Sequence, residues 1–149
     1  MKIFGHPIHS MLIHFPTALL LMDLILSFLA YKNGTTSFTL AAFYCLAAGV
    51  LSGYLAMLIG LLDLIRIPKT NKPALGNGLI HGFLNFTVIL VYSVLAWKGY
   101  KAYPNLESPT RTLIIFKAIL IGALLAGNYS GGTLVYKYLI GTHQTDKHD

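Results

Sequence analysis

The sequence predicts an all-α integral membrane protein, an up-and-down bundle of four helices. Two observations predict it. Of 149 residues, 55% are hydrophobic and only 11% charged, where soluble chains carry about 25% charged residues. The few charges are also segregated: no Asp, Glu, Lys or Arg occurs from Phe38 to Leu62 or from Ala74 to Trp97. A helix crosses a bilayer with about 20 apolar residues at about 1.5 Å each, so both stretches qualify. The chain length fits one domain.

The first span is expected at 11–31, apolar except for His14, Pro16 and Asp23. The segment before it, MKIFGHPIHS, holds one Lys and two histidines rather than a basic leader. Apart from Ser27–Ala30 no small-residue cleavage site stands out, so the segment reads as a retained helix. Pro16 lacks a backbone N–H and is expected to bend it. The second span is expected at 40–62, the third at 79–97, and the fourth at 112–136 with Lys117 as its one charge. Gly, Pro, Asn and charged residues fill the connections at 32–39, 63–78 and 98–111. A soluble bundle would place a polar stripe on each helix. Here apolar side chains run round every circumference.

Composition also excludes classes. The net charge of +6 is spread over loops and ends, and no basic run interleaves with aromatics, so nucleic acid is not a partner. The excess charge suits anionic lipid in the surrounding bilayer. Cys45 is the only cysteine, which rules out an intramolecular disulfide, a C-x-x-C pair and a C-x-x-C-H haem attachment; it reads as a small apolar filler. GNYSGGTLVYKY follows no strand and lacks G-K-[ST], so nucleotide binding is discounted.

Four spans with short loops must alternate in direction. The N-terminus, the 63–78 loop and the C-terminal tail then share one membrane face, called the first; the 32–39 and 98–111 loops share the second. Lys2, Arg66, Lys69, Lys72, Lys137 and Lys147 oppose Lys32, Lys98, Lys101, Arg111 and Lys117. Six against five leaves the orientation undetermined by the positive-inside rule.

Alternation assigns depth as well. His6, His9, His14, His81, His143 and His148 all fall on the first face. The last two lie in the polar tail THQTDKHD and read as solvated. His14 and His81 begin two parallel spans at matched depth, so they are expected to grip a haem b iron from opposite sides, each giving one axial nitrogen. Arg66 and Lys69 are placed to pair with haem propionates, with His6 and His9 as supporting groups or ligands to a second centre. Copper or zinc at His6, His9 and His14, with Met11 added for Cu(I), is the alternative; it ranks lower because no carboxylate or thiolate joins them, although Asp63 shares that face. The bland reading has the imidazoles bonding headgroups, water and backbone.

His81, Asn85 and Tyr92 form one stripe of the third span, expected to face the bundle. Asn85 is expected to pair with Asn128 of the fourth span, or else to border a cofactor. Asp23 is costly at mid-membrane depth. Lys117 lies about a turn nearer the second face on a neighbouring helix, so an Asp23–Lys117 ion pair is expected, with a proton relay as the sharper alternative. Gly49, Gly53, Ala56 and Gly60, and Gly127 with Gly131, form small-residue stripes for close helix packing or for a flat macrocycle.

The run GHPIHSMLIHFPTALL, GLLDLI at Gly60–Ile65, HGFLN at His81–Asn85 and the terminal GGTLVYKYLIG together resemble the bacterial membrane family called domain of unknown function 2231. The resemblance covers Gly5 to about Gly141. Ser10 replaces the second proline of that family's first motif, which removes no ligand. The resemblance implies four spans in a bacterial inner membrane, with no established activity. Some relatives carry an appended Rieske iron–sulphur domain, which implies redox company by analogy. The expectation is therefore a small b-type haem-binding electron-transfer subunit, not an enzyme on its own, served by a membrane or periplasmic redox protein. A non-enzymatic membrane partner or assembly subunit, and a homo-oligomer, stay open.

Overall fold

The computed structural model describes residues 2–3, 6–7 and 11–138. Two-residue strands β1 (Lys2–Ile3) and β2 (His6–Pro7) pair antiparallel. Four helices follow: α1 (His14–Asn33), α2 (Thr36–Ile65), α3 (Lys72–Ala102) and α4 (Arg111–Tyr136). All four are long and apolar enough to cross a membrane. Each packs on its chain neighbours and α4 closes the ring against α1, the up-and-down arrangement that short connections dictate.

The helices outrun the apolar stretches. α3 begins at Lys72, not near residue 79, because Asn71 caps it: its side chain accepts from the Ala74 N–H at 3.2 Å, and Pro73 sits in the first turn. Hydropathy marks the section inside lipid, whereas caps mark where the helix starts. The α1–α2 connection shrinks to Gly34 and Thr35. Gly34 takes the left-handed conformation at φ 63° and donates its N–H to Ala30 O at 2.8 Å, a backbone position that suits glycine. Thr110 caps α4, accepting from the Leu113 N–H at 3.2 Å.

Pro16 does not act as a bend. It lies in the first turn of α1, where its N–H would have had no partner within the helix. Thr17 secures that turn instead, its hydroxyl donating to Ile13 O at 2.8 Å.

Leu20, Leu46, Val50, Val88, Ile89, Tyr92, Leu120, Ile121 and Leu124 form the core. Large apolar side chains such as Leu51, Leu58, Phe83, Ile119 and Leu125 are exposed; on spans of this composition they form the lipid-facing surface. The small residues serve packing. A Cβ at Gly49 would meet Leu20 Cδ2 at 2.7 Å, and one at Gly53 would meet Ile89 Cδ1 at 2.5 Å. These seats are filled by side chains, so the core has no slot there for a macrocycle.

Candidate functional site

The polar contacts of α4 with α1 and α3 fall at two levels among the described residues. The deeper is built on α1 and α4. Asp23, Ser27 and Lys117 are 0%, 0% and 4% exposed. Lys117 Nζ donates to Asp23 Oδ1 at 2.7 Å and to Ser27 Oγ at 2.9 Å. Ser27 follows Asp23 by four residues, so one turn of α1 presents both oxygens together. The ion pair expected from depth is therefore present. Asp23 Oδ2 is buried without a hydrogen-bond partner among the described residues. Nearby, the Tyr92 hydroxyl of α3 donates to the Lys117 carbonyl at 3.4 Å, which ties a third helix to this level.

The second level lies toward the first face and is built round α4. His81 Nδ1 stands 2.7 Å from Gly127 O. A ring nitrogen that close to a carbonyl oxygen must carry the proton, since two lone pairs would repel. Nδ1 therefore carries a proton. Asn85 lies one turn further along α3: its Nδ2 donates to His81 O at 3.1 Å and abuts His81 Nδ1 at 3.0 Å. Both side chains rest on glycines. A Cβ at Gly131 would fall 2.7 Å from His81 Cε1 and Nδ1, and one at Gly127 would fall 2.9 Å from Asn85 Oδ1. Gly127-x-x-x-Gly131 is therefore the seat of the polar stripe of α3.

The expected Asn85–Asn128 pair does not form. Asn85 turns back to its own helix, while Asn128 donates from Nδ2 to Thr17 Oγ1 of α1 at 2.9 Å. Position 128 points one helical step away from 127, so it meets the opposite neighbour of α4. Thr17 was the missed residue. Its signal was small: a hydroxyl on the first turn of α1, at the depth where Asn128 needed a partner.

Thr17 and His81 meet consecutive residues of α4, so His81 lies level with Thr17, and His14 stands nearly a turn closer to the first face. The interior clamp of His14 and His81 is another matter. His14 is exposed. It precedes Leu21 by seven residues and Ile25 by eleven, almost whole numbers of turns, and both are exposed. Asp23, nine residues on, lies on the opposite side of α1. His14 thus occupies the outward arc of α1, not the inward face. On α4, Gly132 is open: a Cβ there would meet nothing within 4 Å.

Arg66 caps α2 at the first face, exposed, with NH1 3.8 Å from Asp63 Oδ1. Lys69 is exposed in the following connection. The backbone of His6 lies in β2. His9, His143 and His148 fall outside the described residues. Among the described residues, no group of three His, Cys, Asp or Glu side chains could hold a metal ion.

A family model described as a predicted membrane protein (DUF2231) matches residues 5–144. No curated protein and no solved structure matches the chain.

Proposed function

We propose, for a chain that belongs to the predicted membrane protein family DUF2231, that it is a small electron-transfer subunit holding a b-type haem at its first face, with His81 as one axial ligand. The observation that carries this reading is the 2.7 Å contact between His81 Nδ1 and Gly127 O. A ligating histidine is characteristically held by an acceptor on its other nitrogen, which sets the tautomer and makes the coordinating nitrogen more basic. The imidazole is also confined by its glycine seat at Gly131. His14 lies on the outward arc of α1, so this reading does not use a His14–His81 clamp across the core. The reading puts the haem instead at the rim of the first face. The second ligand would then come from the first-face histidines, His6, His9 or His14, and Arg66 or Lys69 would meet the propionates. When bound, the haem would supply one-electron chemistry. The chain's own part is to hold His81 in one tautomer and to bury its Nδ1–H on α4.

The test is the absorption spectrum of protein purified with haem supplied during expression. The reading expects a Soret band that shifts on dithionite reduction. His81→Ala should abolish it, one of His6→Ala, His9→Ala and His14→Ala should shift or bleach it, and His143→Ala should leave it unchanged. A colourless preparation free of copper and zinc sinks haem and bare metal together.

One observation favours a second reading, a non-enzymatic membrane partner or assembly subunit. The Asp23–Lys117–Ser27 and Asn128–Thr17 contacts each join two helices, as purely architectural polar groups in a bundle would.

A further inference from the structure

We propose that the cleft between the C-terminal end of α1 and the N-terminal end of α4 binds the headgroup of one anionic phospholipid. This open cleft, of about 410 Å³, lies at the second face and is lined by Phe28, Tyr31, Lys32, Arg111, Ile114 and Ile115. Its charge is one-sided. Lys32 is in the last turn of α1 and Arg111 opens α4, and neither forms an ion pair among the described residues. Glu107, in the connection before α4, forms none there either. The start of α4 adds the positive end of its dipole, while Lys32 offsets the negative end of α1. Lys32 Nζ lies over the Phe28 ring, 6.0 Å from its centroid, which places the ammonium beside the lining aromatic.

The rest of the lining identifies the occupant. Phe28, Ile114 and Ile115 are hydrocarbon and lie on the spanning helices, directly inward of the two cations in sequence. A free phosphate has no use for them; an acyl chain below a phosphate does. A zwitterionic lipid would bring its own ammonium against Lys32 and Arg111, so the site selects a net negative headgroup. Tyr31 adds a hydroxyl at the polar–apolar boundary, the depth that amphipathic rings prefer.

Native mass spectrometry of the delipidated full chain, titrated with dioleoylphosphatidylglycerol and with dioleoylphosphatidylcholine, tests the site. Each cation near an anionic headgroup contributes about 1 kcal/mol, so Lys32→Gln with Arg111→Gln should weaken phosphatidylglycerol binding about 30-fold. Phosphatidylcholine binding should be weaker from the start and insensitive to the pair. Lys98→Gln with Lys101→Gln, on α3 at the same face, should change nothing. Lys32→Arg with Arg111→Lys should keep the affinity, and serves if the neutral pair fails to fold. Equal binding of the two lipids overturns the site, as does an equal loss in the α3 variant or displacement by millimolar inorganic phosphate.

Discussion

The two polar levels of this bundle solve one problem in different ways. Toward the second face, α1 and α4 are joined by full charges, with Lys117 Nζ shared between Asp23 and Ser27 and all three groups buried. Toward the first face, α4 is met by an imidazole from α3 at Gly127 O and by a threonine hydroxyl from α1 at Asn128. An ion pair in lipid resists change, because removing either partner strands a charge. A ring N–H seated on a carbonyl oxygen orients an imidazole through a single hydrogen bond. The difference teaches that an intramembrane charge can be architectural, so depth in the membrane does not by itself mark a functional group.

Breaking the charged level should have the largest effect. Lys117→Met leaves Asp23 buried alone and should cost about 3–5 kcal/mol of stability, read by thermal unfolding in detergent. Asp23→Leu combined with Lys117→Met should recover most of that loss, since apolar replacement of a buried pair is often neutral or stabilising. If the double variant stays as unstable as the single one, the pair does more than offset two charges.

The first-face level is the next target. Gly131→Ala places a methyl group 2.7 Å from the His81 ring, so the imidazole must leave its seat on α4. The expected outcome is a loss of about 1–3 kcal/mol, in the range for overpacking, measured by unfolding, together with displacement of the His81 ring resonances in NMR. Gly132→Ala, one residue on, meets open space and should leave both readouts near wild type. That contrast between adjacent glycines separates a specific seat from general helix crowding.

Smaller effects sharpen the picture. Thr110→Ala removes the cap of α4 and should cost about 1 kcal/mol. Asn128→Ala breaks the tie to Thr17 and should cost about 0.6 kcal/mol, the mean for hydrogen bonds between membrane helices. Either loss reaching the size of the Lys117→Met effect would erase the ranking of the charged level over the first-face level.

Charge segregation made the four spans legible, and alternation made the Asp23–Lys117 pair legible, because depth follows from counting inward along helices of known rise. Rotation about a helix axis was less accessible. Apolar residues cover the whole circumference of α1, so no amphipathic stripe indicated that His14 faces outward while Pro16, Leu20 and Asp23 face in. For the same reason Asn85 and Asn128, equal in depth, gave no sign that α4 turns them to opposite neighbours. The start of α3 was hidden for another reason: Asn71 and Pro73 set it in water, where hydropathy carries no signal.

The contrast between the two levels is tested most directly by reduced-minus-oxidised spectra of two variants, purified with haem supplied. The account predicts that Asp23→Leu with Lys117→Met keeps the wild-type Soret and α bands, while His81→Ala, folded to the same extent by circular dichroism, has none. A wild type without bands, or bands that survive His81→Ala unchanged, would contradict it.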